Sequence, residues 1–335
     1  MPIKPEIRDN LRLPVIGSPL FIISGPELVI AQCKAGIVGS FPALNARPAH
    51  VLEEWIVRIK EELAEYKARN PDKKVAPFAV NQICHASNDR LGHDMDVCVK
   101  HEVPIIITSL RPPAEVVAGA HSYGGVVYHD VINLRHARKA AEEGVDGLIL
   151  VCAGAGGHAG ALSPFALVRE VREWFEGTVI LSGAISDGAG IAGALAMGAD
   201  LAYMGTRFIA TREANADSGY KTMLVESAAQ DIVYTNLFTG VHGNYLAPSI
   251  VGAGLDPAQL PEADKSKMNF GSGGNMKSKA WKDIWGSGQG IGVIHDAPPV
   301  AELVDRLEAQ YRAAIADFNA RTLLTGSGAH AAAAD

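Results

Sequence analysis

Gly147-Leu-Ile-Leu-Val151-Cys-Ala-Gly154-Ala-Gly156-Gly157-His158-Ala-Gly160 is an apolar run that stops in a glycine-rich turn carrying one histidine. Five apolar residues are too few for a helix and read as a strand buried on both faces. Glycines after it let the backbone approach a ligand closely or adopt positive φ. The same pattern recurs on both sides. Candidate strands are Leu13–Ile16, Gly36–Ser40, Phe78–Asn81, Pro104–Thr108, Val126–His129, Gly147–Val151, Thr178–Ser182 and Asp200–Met204. Amphipathic segments lie between them: Pro26–Lys34, Pro48–Asn70, Asp89–His101, Pro113–Ser122, Asn133–Glu143, Ser163–Phe175 and Asp187–Met197. Several begin with Pro, Asp or Ser where a helix starts. Strands alternating with helices imply a parallel sheet with crossover helices. Eight such units predict an α/β fold of the (β/α)8, or TIM, barrel type.

The eighth helix is delayed. Residues 212–295 intervene with weak periodicity and a glycine-rich end, before Pro299–Thr322 supplies a long amphipathic helix. The predicted organisation is therefore a barrel from 1–211 and 296–325, an inserted cap or subdomain at 212–295, and a small polar tail at 326–335. The first unit is crowded by Pro14 and Pro19.

Composition narrows the classes. The chain has 335 residues, 48% of them hydrophobic, so it can bury a large core. Its net charge is −7 and it has no basic stripe, which argues against nucleic acid as a partner. The four cysteines, Cys33, Cys84, Cys98 and Cys152, show neither CxxC nor metal-site spacing and read as reduced thiols. No signal-peptide pattern opens the chain, and no apolar stretch reaches the ~18 residues of a membrane span. A cytoplasmic protein with no membrane partner is the expectation, with a homo-oligomer left open.

Sites of such barrels sit at the C-terminal ends of the strands. Three strand ends stand out: Gly154–His158, Ser182–Gly190 and Tyr203–Arg207. Small residues there bare the backbone N–H groups that cradle anions, and the last two loops are the usual phosphate site. Thr206 can add a hydroxyl and Arg207 a charge. Tight helix–sheet packing would explain the glycines after Thr178–Ser182 equally well. A dinucleotide fold fits poorly, because Gly154-x-Gly156 is followed by Ala159 where the third glycine belongs, and the next strand ends in Ser182 rather than an acid. Apart from the Cys152 thiol, His158 is the one titratable side chain between Val151 and Leu162, and it suits a general base. No serine elbow or metal-ligand spacing accompanies it. Asn81 ends its strand with an amide that both donates and accepts, as a heterocycle edge requires. His129 and Asp130 end the fifth strand, and either can face the site or cap a helix.

At these residues the chain resembles the nitronate monooxygenase family, also called 2-nitropropane dioxygenases. The matching pieces are Gly156-Gly-His158-x-Gly160, Gly183-x-Ile-x-Asp-Gly-x-Gly190, Ala194-Leu-Ala-Met-Gly-Ala199 and Met204-Gly-Thr-Arg-Phe208, with Asn81 after an apolar strand. The resemblance implies an FMN-dependent oxidoreductase. It oxidises alkyl nitronates or nitroalkanes with dioxygen to a carbonyl compound and nitrite. It also implies FMN phosphate near Gly183, Ala184, Gly205 and Thr206, the flavin beside Asn81, Val151, Gly156, Gly157, Ser182, Tyr203 and Met204, and His158 as base. Three positions depart from the family. Val151 stands where glutamine is common, Ala184 where a second glycine is common, and His129 where a lysine is often found near the end of strand five. The wider resemblance includes NAD(P)H-dependent FMN reductases of enoyl thioesters or quinones, and a flavin-binding protein without turnover is a further alternative.

Overall fold

Eight parallel strands form the barrel in this computed structural model, which describes residues 3–111, 113–263 and 284–322. They are β1 (Val15–Gly17), β2 (Gly39–Pro42), β3 (Phe78–Cys84), β4 (Ile105–Leu110), β5 (Val126–Val131), β6 (Gly147–Val151), β8 (Thr178–Ser182) and β9 (Leu201–Met204). A two-residue strand, β7 (Gly157–His158), lies between the last three. The neighbour order is β1-β9-β8-β6-β5-β4-β3-β2. A parallel bridge from Ile16 to Val38 joins the ends and closes the barrel. Gly17 N donates to Val38 O at 2.8 Å, and Val38 N donates to Val15 O at 3.0 Å.

All eight expected strands form, with shifted ends. Pro14 has no N–H, though its carbonyl accepts from Ala202 N at 2.8 Å, and β1 starts at Val15, two residues later than expected, and stays short. Gly36, at φ +88°, turns the chain out of the preceding helix and delays β2 to Gly39. Strands β3, β4 and β5 run past their apolar stretches. The polar Gln82, Thr108 and His129 point outward, into the layer between strands and helices. There Thr108 Oγ1 lies 2.8 Å from His129 Nδ1, and Gln82 Nε2 donates to Cys98 Sγ at 3.5 Å.

Two apolar layers follow from side-chain alternation along each strand. The inner one holds Ile16, Val38, Ala79, Ile105, Ile107, Val126, Tyr128, Ile149, Ile180 and Leu201. Ile3, Ile7 and Leu11, on and around the short helix Pro5–Arg8, plug its lower end. The outer layer joins Val80, Ile106, Val127, Leu148, Leu150, Val179 and Leu181 to the surrounding helices. All eight expected helices form within a few residues of their anticipated ends. Asn133 accepts from His136 N at the start of Leu134–Glu142, and Asp187 accepts from Gly190 N at the start of Gly188–Met197. The last helix, Val300–Arg321, packs along Gly188–Met197.

Between β9 and that last helix the chain forms helix Ser218–Glu226 and an antiparallel hairpin, β10 (Ile232–Thr235) and β11 (Gly243–Leu246). The hairpin takes β7 as its third strand, with Gly243 opposite His158 and Asn244 opposite Gly157. The insert is thus part strand, where a mainly helical cap is one expectation. Part of the expected insert, 264–283, and the expected tail lie outside the described residues.

Packing at Gly188 is tight. A Cβ there would fall 2.2 Å from Tyr311 N and 2.4 Å from Leu307 O, both backbone atoms of the last helix. On the exposed side of the same helix, Gly193 has nothing within 4 Å. Gly188→Ala should therefore lower unfolding free energy by about 1–3 kcal/mol through overpacking. Gly193→Ala should raise it by up to about 1 kcal/mol through helix propensity. Denaturant titration of both variants checks the opposite signs.

Candidate active site

The upper rim of the barrel is set by register. Val151 on β6 lies opposite Ser182 on β8, which lies opposite Tyr203 on β9. By alternation all three project inward, so three separate strand ends meet at one edge of the mouth. Asn81 projects inward from β3, two residues after Ala79, and its Nδ2 donates to Ile107 O at 3.3 Å. β3 continues to Cys84, so Asn81 lies within the strand rather than at its end.

Beyond the rim, the loops after β8 and β9 are the candidate anion cradle. Gly183 has φ +141° and Ala184 φ +55°. Consecutive residues of this kind turn successive N–H groups toward one point. The N–H groups of Gly183, Ala184, Gly205 and Thr206 find no backbone acceptor among the described residues. A bound phosphate would supply the missing acceptors. The walls are close, since a Cβ on Gly205 would fall 2.6 Å from Ser18 Oγ. Ala184 holds a conformation that L residues pay for with strain of about 1–2 kcal/mol.

A return segment covers this cradle. Gly288 N donates to Thr206 Oγ1 at 2.9 Å, and Gln289 N donates to Gly154 O at 2.9 Å. A Cβ on Gly156 would fall 2.8 Å from Gly288 N, so only glycine fits between the loop after β6 and this cover. Trp285 stacks on Tyr220 at 4.9 Å, and the Tyr220 hydroxyl donates to Gly286 O. Asn244 Nδ2 donates to Ala155 O at 2.7 Å, tying β11 to the same loop.

His158 sits in β7, half-buried at its surface but enclosed by protein on most sides. Burial pulls its imidazole down to about 4. Its Nε2 lies 3.0 Å from Thr239 Oγ1. That hydroxyl has one proton, and Val241 O, 2.9 Å away, accepts it. Thr239 Oγ1 thus holds one edge of a ring that burial keeps neutral.

Two expected contributions do not reach the mouth. The Met204 side chain points into the outer core, leaving only its backbone, whose carbonyl accepts from Ser18 N at 2.9 Å. Arg207 adds no charge to the cradle. It is buried and pairs with Asp296 Oδ1 at 3.1 Å, and Asp296 also pairs with Arg306 of the last helix. Alternation likewise decides the fifth strand: His129 faces outward and Asp130 inward. Burial pushes the Asp130 carboxyl up to about 7. The sequence signal was available in Val126-Val-Tyr128-His-Asp130, where inward positions recur every second residue. Thr239 and the 286–290 cover carried no comparable signal. Among the described residues no three His, Cys, Asp or Glu side chains gather as a metal site, and no helix is long and apolar enough to cross a membrane.

The nitronate monooxygenase sequence family matches residues 8–310. A nitronate monooxygenase of Paraburkholderia phytofirmans is 28% identical over 90% of this chain and 93% of its own length. One from Neurospora crassa is 30% identical over 91% of each. A nitroalkane oxidase structure from Streptomyces ansochromogenes matches with a TM-score of 0.75 at 22% identity, over 93% of this chain and 99% of that one, a likeness that speaks for the fold alone. With the barrel mouth built as above and the family match running through every strand of it, the chain is an oxidoreductase belonging to the nitronate monooxygenase family.

Proposed function

We propose that the protein oxidises alkyl nitronates, and nitroalkanes after removal of an α-proton, using FMN and dioxygen and releasing a carbonyl compound and nitrite. The observation that carries this reading is a buried imidazole, held at Nε2 by Thr239, on the same barrel mouth as four backbone N–H groups that find no backbone acceptor among the described residues. The backbone N–H groups of Gly183, Ala184, Gly205 and Thr206 would hold the FMN phosphate. Val151, Ser182, Tyr203 and Asn81 would line the flavin from the barrel side, and Gly156 and Gly157 would let the backbone lie close to it. Val151 has no side-chain hydrogen bond to give, so contact there is apolar or through backbone. Bound FMN would supply the electron acceptor that connects substrate oxidation to dioxygen.

His158 has two tasks in sequence. Neutral at pH 7, it takes the α-proton of a nitroalkane on its imidazole. The resulting nitronate is an anion, and an adjacent anion favours the imidazolium, so the proton stays on the ring. Thr239 fixes the ring plane through its contact at Nε2. Enclosure by the hairpin keeps water from competing for the same lone pair.

The visible spectrum is the first check. Purified protein, or protein incubated with FMN, should show flavin bands, and their absence would remove the cofactor. His158→Asn should retain FMN while losing about 10²–10⁴ in kcat/KM with neutral nitroalkane, and much less with preformed nitronate. Equal losses on both substrates would take proton abstraction away from His158. The pH profile of kcat/KM with nitroalkane should stay level below neutrality and fall only as pH descends toward about 4, where the free enzyme's imidazole becomes protonated. Anaerobic NADH and NADPH should leave the flavin yellow. Rapid bleaching would instead support a reductase, and reduction by neither nitronate nor NAD(P)H would support a flavin-binding protein without turnover.

A further inference from the structure

Two buried polar atoms inside the barrel lack partners among the described residues: Oδ1 of Asp130 and the phenolic oxygen of Tyr203. Both side chains project inward, Asp130 two places after Tyr128 on β5 and Tyr203 two places after Leu201 on β9. The Asp130 charge acts on the Tyr203 phenol, so the two face a common space. Apolar residues, Ile107, Tyr128, Ile149 and Ile180, lie beneath that space. Asn81 and Ser182 project inward at the rim. Asp130 as a whole remains only half-buried, so the space opens to the mouth. Buried polar groups are almost always satisfied by protein, water or ligand. Two orphans facing one opening imply a polar group that enters from outside.

The charge environment fixes what Asp130 offers. The flanking strands β4 and β6 carry no charged residue. His129, next in the chain, faces outward, and burial holds its imidazole at about 4. His136, Arg135 and Lys139 lie on the following helix, outside the barrel. Arg207 is committed to Asp296. Tyr203 is itself pushed far up by burial. Among the described residues no cation answers an ionised Asp130, and burial alone raises its carboxyl to about 7.

Resting on the flavin reading above, we infer that Asp130 and Tyr203 form a paired polar contact for the heterocycle of the bound cofactor, with the Asp130 carboxyl as hydrogen-bond donor. The flavin edge donates only at N3–H, whereas O2, O4, N1 and N5 accept; the contact proposed is to these acceptors, to which a carboxylic acid can donate and a carboxylate cannot. An ionised carboxylate would set acceptor against acceptor and would also oppose negative charge on the reduced ring.

The test is flavin affinity against pH, with Asp130→Asn as the isosteric donor that cannot ionise. Riboflavin serves as the probe because it lacks the phosphate, whose own ionisation falls near the same range. Wild-type affinity should drop about tenfold between about pH 6 and pH 8 as a carboxyl titrating near 7 loses its proton. Asp130→Asn should bind equally well at both values, and Tyr203→Phe should bind more weakly while keeping the wild-type pH dependence. A level wild-type profile, or the same slope in Asp130→Asn, overturns the contact while leaving the flavin reading intact. Failure of the wild type to bind riboflavin or FMN at any pH overturns both. The apoprotein gives a flavin-free check. The folded carboxyl titrates above its unfolded value of 3.8, so stability is lost as pH rises through that interval. Asp130→Asn should therefore gain thermal stability over wild type as pH increases from about 5 to 8. A difference that does not vary with pH overturns the donor assignment.

Discussion

Side-chain alternation on a closed parallel barrel is the constraint from which the rest follows. Once Ile16 bridges Val38 and the ring is shut, every strand has one face in the interior and one against the helices, with no edge left to absorb a change of register. That single geometric fact sends Val151, Ser182 and Tyr203 to the same side of the mouth. It also turns His129 out and Asp130 in. A one-residue slip of β5 would exchange those two groups and rewrite the chemistry of the interior. The short β1 therefore has influence beyond its three residues, since it holds both seams of the ring.

Polar groups are distributed to match this division. In the outer layer Thr108 pairs with His129 and serves packing. Those in the upper interior are left open toward the mouth. The candidate cradle after β8 and β9 follows the same logic in the backbone, with N–H groups that find no backbone acceptor among the described residues. Arg207 illustrates the converse. It sits beside the cradle in sequence, but Asp296 draws it away to join the loop after β9 to the last helix. A site for an anion can thus be built from peptide groups while the nearest guanidinium does structural work.

Much of this was legible in the sequence because the elements are locally self-consistent. Apolar runs of four to six residues alternate with capped amphipathic segments, so strand count, strand order and the delayed last helix could be read directly. The rim residues Val151, Ser182 and Tyr203 and the cradle residues Gly183–Ala184 and Gly205–Thr206 were legible for the same reason, as they follow from where strands stop. What escaped depends on contacts between distant segments. The two-residue β7 exists only because Gly243 and Asn244 arrive beside it, and a Cβ on Gly243 would strike Gly157 O at 2.7 Å. Gly288 and Gln289 look like an ordinary flexible stretch until they are seen donating to Thr206 and Gly154. Asp130 was a candidate beside His129, and the alternation in Val126-Val-Tyr128-His-Asp130 was the signal that decides between them.

The pairing of β7 with β11 makes His158 a shared component of two structural units. Its backbone belongs to the hairpin sheet, while the loop that leads to it leaves the barrel at Val151. Any tilt of the hairpin is transmitted to the imidazole through the ladder and through Thr239. Access to the mouth and the setting of the His158 ring are consequently one mechanical variable. Sequence variation in the hairpin would alter both together, so substrate range in such an enzyme can diverge through a surface element without any change inside the barrel.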